Sequence, residues 1–376
     1  MSSSSSSSGM TLTQVTRWGR QTIKFGSVGL VSAVILWMLF TSFVAYWKAT
    51  HPPAPPPPTM GYGYLPTLVF PAQTAQDKPK KYTLETANGR LPLFPDRTEV
   101  YFLPRPAASL LDDEKTNQVA KSLGFDSQPE IIDARTYRYT KTGALVATLT
   151  IDTRDHTFEI KTDYLNHPEL LLESDFPTQF GAVSDVKNFL DRAGLVNREI
   201  ATSSGNVKYV KAVGTDLEPA VAVADADFII VDINRTPKGD GIPMYSEYDN
   251  EGSIRAILSG SKAQDKRLVY LRFSFHPSMP DQVETYPLRD VTQAWNLVQA
   301  GEAYIVNKGI QDNVTIRDVS LGYYDSLRSQ DYLQPVYVFK GDNNFMALVP
   351  ALNPQVLAQN PSQVVTPGPS PTPGVK

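Results

Sequence analysis

One stretch of the chain is apolar all round. Residues 25–47, FGSVGLVSAVILWMLFTSFVAYW, carry no charged side chain. As a helix at ~1.5 Å per residue they would run about 34 Å, enough for a hydrocarbon core of roughly 30 Å. A lone segment in lipid must satisfy its backbone internally, so a helix is the form expected. After it, the pattern switches between period-2 alternation and helical spacing. Tyr82 to Glu85 and Leu91 to Phe94 flank Asn88-Gly89, which predicts a hairpin. Thr98 to Leu103 predicts a strand. Ser109, with Asp112 three positions on, predicts a helix start, and Gly124 its stop. Thr136 to Thr140, Leu145 to Ile151 and Thr157 to Thr162 then predict an antiparallel meander.

A second cycle is predicted from Ser184, a helix cap, to Gly194. Strands follow at Val207 to Val213, Phe228 to Ile233, Ile242 to Tyr245, Ser253 to Ser259 and Leu268 to Phe275. Asp290 is expected to cap a short helix ended by Gly301. Three last strands are Thr315 to Tyr323, Gln334 to Lys340 and Phe345 to Val349, the last two joined by a turn at Asp342-Asn343. A helix followed by an antiparallel meander recurs, which predicts an α+β fold with helices packed on sheets.

The flanks of the apolar run give it a direction. Arg17, Arg20 and Lys24 precede it and only Lys48 follows closely, so the short N-terminus is expected in the cytoplasm and the rest outside. A cleaved signal peptide is the competing reading. The run exceeds the ~7–15 residues of such a segment, and cleavage after Ala45 or Ala49 would leave Phe43 or Trp47 where a small residue belongs. Gly29 and Ala33 form a small-xxx-small pair able to seat a partner helix. The layout expected is a cytoplasmic tip at 1–24, a transmembrane helix at 25–47, a Pro-rich linker at 48–60, α+β units at 61–180 and 181–352, and a disordered Pro-rich tail at 353–376.

Composition narrows the functions. A net charge of −4 argues against a nucleic-acid surface, and the absence of cysteine removes disulfides, thiolate metal sites and thiol nucleophiles. The four histidines, His51, His156, His167 and His276, form no i, i+4 pair of the helical zinc type. Ser259-Gly-Ser-Lys262 matches S-x-x-K, but Ser259 ends a predicted strand and Lys141-Thr-Gly143 lies upstream, the wrong order for a penicillin-recognising enzyme. Asp225, Asp227 and Asp232 lack calcium-loop spacing and read as solvated edge charges. Tyr323 and Tyr324 are weighed as a partner surface, although they point to opposite faces of one strand, which places at least one in the core. No catalytic residue, metal or cofactor is predicted.

The C-terminal stretch is the most distinctive. It runs Ala294-Trp295 and Gly301 on a helix, then VSLGYY (Val319 to Tyr324), YLQPVYVFKGD (Tyr332 to Asp342) and FMALVPAL (Phe345 to Leu352). This resembles the final PepSY-like unit of the YycH/YycI regulators, and the whole layout is similar to uncharacterised single-pass exported bacterial proteins. The resemblance implies an extracytoplasmic α+β domain that modulates a membrane sensor kinase. The function expected is a non-enzymatic regulator or assembly factor of the cell envelope acting by protein contact. The alternatives are a module binding peptidoglycan or an exported peptide and, less favoured, an envelope hydrolase.

Overall fold

The computed structural model describes residues 12–51, 56–105, 109 and 111–359. Residues 1–11 of the expected tip, 52–55 of the expected linker and most of the expected tail lie outside them. The chain divides into two compact units, Met1–Pro57 and Pro58–Lys376. The first is one helix, α1 (Leu12–Thr50), and its stretch Gly29–Lys48 is long and apolar enough to cross a membrane or to serve as a signal sequence.

The second unit begins with β1 (Lys81–Leu84), β2 (Arg97–Phe102), α2 (Asp112–Ser122), β3 (Glu130–Ile131), β4 (Thr136–Lys141), β5 (Ala147–Asp152) and β6 (Phe158–Thr162). It continues with α3 (Gln179–Arg192), α4 (Arg198–Thr202), β7 (Gly205–Val213), β8 (Asp216–Pro219), β9 (Phe228–Ile233), β10 (Met244–Tyr245), β11 (Ile254–Ser259), α5 (Gln264–Arg267) and β12 (Leu268–Phe273). It ends with β13 (Val283–Pro287), α6 (Val291–Gln299), β14 (Tyr304–Asn307), β15 (Asn313–Tyr324), β16 (Tyr332–Gly341) and β17 (Met346–Pro350).

The fold is mixed α+β. A nine-stranded antiparallel sheet runs β3-β4-β5-β6-β12-β11-β9-β7-β8. The meander β3–β6 joins the strands β7–β12, in which β9 returns to the far side of β7 from β8, through β6 and β12, with Phe158 opposite Phe273 and Ile160 opposite Leu271. Helices α2 and α3 lie on one face. The α3 stripe Ala182, Val186, Leu190 is spaced i, i+4, i+8 and packs with Ala120 and Leu123 over Leu149, Ile160, Val231 and Leu271. The opposite face carries a smaller core of Leu170, Phe228, Ile230, Ile257 and Val269.

The second sheet has eight strands and curls. Along β15, β1 and β10 both pair in parallel, at opposite ends of the same strand, while β16 pairs antiparallel. Strand β16 in turn meets β2 near its start and β17 further on. One face is covered by α6, whose Trp295 packs against Phe339 with ring centroids 6.0 Å apart. The other is covered by Leu68 and Phe70 over Tyr304, Tyr324, Val336 and Val338. Both faces are dry, so nearly every residue of β16 is buried.

Several expectations change. The hairpin at Asn88-Gly89 does not form: Gly89 makes the turn, but residues 91–94 are not a strand, since Pro92 and Pro95 offer no N–H to a ladder. Instead β1 pairs with β15, and Leu91 and Phe94 pack on the core. Helix α2 starts at Asp112 rather than after Ser109, whose N–H the Asp112 carboxylate accepts at 2.9 Å. Helix α3 starts before Ser184, capped by Thr178, whose hydroxyl accepts from the Gly181 N–H at 3.2 Å. Both sheets cross the boundary expected at 180, through β6 paired with β12 in one and β1 paired with β15 in the other. The tail expected from 353 starts ordered: Val356 is buried and Leu357 bridges Leu65.

Candidate functional site

The residues singled out in the sequence do not converge. Gly29 and Ala33 sit exposed on α1. Tyr323 and Tyr324 are both fully buried, so neither side chain faces outward as a partner surface would require. The Tyr323 hydroxyl donates to the Glu99 carbonyl at 2.8 Å, and Tyr324 packs against Phe70 at 4.7 Å between centroids. Alternation along β15 was legible, but not that a second layer covers its other face. Ser259 is buried and donates to the Lys266 carbonyl at 2.7 Å, while Lys262 reaches Asp175 at 3.4 Å, so the S-x-x-K residues part company. Asp232 is not an edge charge. Strand β9 is central, Asp232 lies fully buried opposite Arg255, and burial pushes its carboxyl up. Asp227 is tied down too, accepting from the Ala212 N–H at 2.9 Å.

The charged groups that do converge lie at the seam between the two sheets. Among the described residues no hydrophobic cluster draws from both sheets. The seam is polar, and Arg235, just past the end of β9, is at its centre with its side chain 1% exposed. Its Nη1 donates to Glu199 Oε2 at 3.0 Å, and its Nη2 to Asp325 Oδ1 at 3.2 Å and to the His276 carbonyl at 2.7 Å. The guanidinium lies 4.4 Å from the centre of the Phe275 ring. Glu199 comes from the first turn of α4, Asp325 from the end of β15 and His276 from the end of β12.

A second ring of contacts surrounds these. Lys238 Nζ donates to Glu199 Oε1 at 2.6 Å and to Ser278 Oγ at 2.8 Å, and it faces the Tyr101 ring at 5.4 Å. Asp155, in the β5–β6 turn, accepts from Ser329 Oγ at 2.5 Å and from Arg135 at 2.9 Å. Arg105 pairs with Asp331. Burial pushes the Glu199 carboxyl up, but Arg235, Lys238 and the Ser278 N–H outweigh it and hold it below its ordinary range. Asp155 is likewise lowered against its burial, by Ser329, Arg135 and Arg105. His276 is lowered by burial, with Asp155 opposing and Arg235 reinforcing, and its Nε2 has no bonding partner.

Chemically this is a set of charges spent on one another. Ser329 bonds directly to Asp155 and not through an imidazole, so the pair lacks the Ser–His–Asp order that activates a nucleophile. Among the described residues no group of three or more His, Asp or Glu is placed to hold a metal ion. A cavity of about 280 Å³ opens beside the seam, lined by Arg105, Tyr324, Ser326, Arg328, Ser329 and Asp331. A hollow of about 450 Å³ lies beside α3, edged by Phe189, Arg192 and the Asp185–Arg267 pair, 2.9 Å apart.

Sequence reasoning missed the seam because its partners are remote: Arg235 is 36 positions from Glu199, 41 from His276 and 90 from Asp325. The one local signal is an arginine two positions past a strand that is apolar except for Asp232, FIIVDINR.

No family model matches the chain, and no curated protein does. Among solved structures it is similar to an uncharacterised protein from Eubacterium rectale ATCC 33656, with 12% identity and a TM-score of 0.29, over 68% of this chain and 82% of that one. The likeness is too distant to transfer any property.

Proposed function

We propose that this is a single-pass membrane protein whose second unit lies outside the cytoplasm and acts by contact with a partner protein at the cell envelope. The observation that carries the reading is α1. Its stretch Gly29–Lys48 exposes Leu30, Trp37, Phe40, Phe43 and Trp47, an apolar surface that lipid or another transmembrane helix would cover. The cations before it and their scarcity after it support an N-in orientation. The resemblance of β15 to β17 to the last unit of the YycH/YycI regulators supports a membrane sensor kinase as partner. The partner's equilibrium would then shift by as much as the domain's affinities for its two states differ.

In-membrane crosslinking of the full chain, followed by mass spectrometry, tests this. One dominant membrane partner is expected, lost when α1 is exchanged for an unrelated apolar helix. No reproducible partner sinks the reading. The cavity beside the seam favours a second reading, a module for an envelope ligand such as a peptidoglycan fragment or exported peptide, which would bind to the second unit alone.

A further inference from the structure

We propose that the second unit is hinged at the seam between its two sheets, and that Arg235 is the bolt holding the two lobes closed. Three observations converge. The lobes have separate hydrophobic cores, and polar interfaces between separately packed bodies permit relative motion by default. The contacts that cross are directional: Arg235 to Asp325, Ser329 to Asp155, and Lys238 over Tyr101. Such contacts have discrete made and broken states, unlike apolar packing that slides. The closed seam also buries polar atoms without partners, namely Asp155 Oδ1, Arg235 Nε and His276 Nε2.

These orphans work against the ion pairs. Each unpartnered buried group carries a desolvation cost that opening would relieve by hydration, while each pair is lost on opening. Opposed contributions in one interface narrow the gap between a favoured closed state and an open one, so that small changes in charge can re-weight them. Acid supplies such a change. The groups facing His276 are Asp155 from the β5–β6 turn, Arg235 after β9, Asp325 after β15 and Arg105 after β2. A protonated imidazole would be a third cation beside Arg235 and Arg105, while Asp155 is already bonded to Ser329 and Arg135.

The chain has no cysteine, so two engineered ones can be labelled without background. Lys121→Cys on α2 and Gln299→Cys on α6 place spin labels on exposed helix positions of the two lobes. Distances are measured by pulsed electron resonance on the full chain in detergent. One narrow distribution is expected at about pH 7.5, near the ordinary range for a neutral imidazole. Asp325→Asn, which keeps the side-chain shape, is expected to add longer distances beyond the wild-type width, and Arg235→Gln to add more. Circular dichroism confirms that each variant is folded, and if Arg235→Gln is not, Asp325→Asn decides. A folded Asp325→Asn variant with the wild-type distribution overturns the hinge. Wild type titrated downward from about pH 6.5 tests the histidine arm: added long distances that vanish in His276→Gln support it, and a distribution unchanged down to the onset of unfolding removes it.

Discussion

Gly260 offers a sharp test of the packing, because its surroundings are backbone. The segment between β6 and α3 crosses the end of β11 here, Ser174 bridges Gly260 in parallel, and the Asp175 N–H donates to the Gly260 carbonyl at 3.2 Å. A Cβ on Gly260 would stand 2.6 Å from the Glu173 carbonyl carbon and 2.8 Å from Ser174 Cα. No side chain can rotate away, so the crossing segment must lift. Overpacking of this kind costs about 1–3 kcal/mol, and the strained hydrogen bond adds about 1 kcal/mol. Gly260→Ala is therefore expected to lower stability by about 2–4 kcal/mol. The control is Gly143→Ala, where the nearest atom to the added Cβ is 4.0 Å away. That change is expected to stay within ~0.5 kcal/mol of wild type, or to stabilise slightly by restricting the unfolded chain. Urea unfolding of residues 58–359, followed by far-ultraviolet circular dichroism, reads both. Midpoints that shift equally for the two variants would refute the close approach of Glu173 and Ser174 to Gly260.

Thr178→Ala removes the α3 cap and should cost about 1 kcal/mol, recovered by Thr178→Ser in the same urea titration. Arg235→Met leaves Asp325 without its guanidinium and should cost about 3–5 kcal/mol, with Arg235→Met/Asp325→Asn losing less than the sum of the single changes. His276 is held neutral by burial, below its ordinary 6.5. Its contribution to stability is thus full above that value and lost as pH falls below it, so thermal midpoints should decline with acid and His276→Gln should flatten the slope. Glu199 and Asp155, held low by their partners, should add a second loss at more acidic pH, as they are protonated through their lowered pKa values. Trp295 is the sole tryptophan of residues 58–359 and lies in the eight-stranded lobe. If the seam is weak, its fluorescence midpoint should differ from the circular dichroism midpoint, and coincident midpoints would argue for one cooperative unit.

What was legible in the chain was local. Asp290 and Gly301 bracket α6 as their residue types require: the Asp290 carboxylate accepts from the Thr292 N–H at 2.7 Å, and Gly301 takes a φ of +73°. Asn343 supplies the turn between β16 and β17 with a φ of +55°. The class of fold follows from such signals, because alternation and caps report nearby geometry. Partner choice does not. Nothing near Tyr82 reveals that its strand lies beside Val314, and the Asn-Gly turn points to a neighbour whose prolines disqualify it. Phe180 hid the true start of α3, for it is 84% exposed and falls off the apolar stripe. The seam was illegible for the same reason, since Arg235 is explained only by residues from three distant turns.

The order of strands also sets an order of assembly. Every strand of the nine-stranded sheet falls between Glu130 and Phe273, a span that holds only β10 of the other sheet, so that lobe is an insertion interrupted once by β10. Lys81 must wait for Asn313, and Tyr101 for Val283 and Leu333. A chain emerging N-terminus first therefore completes the inserted lobe while β1, β2 and β10 are still bare, and bare strands are templates for aggregation. Pairing β1 with β15 and β2 with β16 means bridging separations of more than two hundred residues, the slowest kind of contact to form. A truncation that removes everything from Asn313 onward would thus strand β1 and β10 and leave β2 with β13 alone, while the nine-stranded sheet keeps all its pairings.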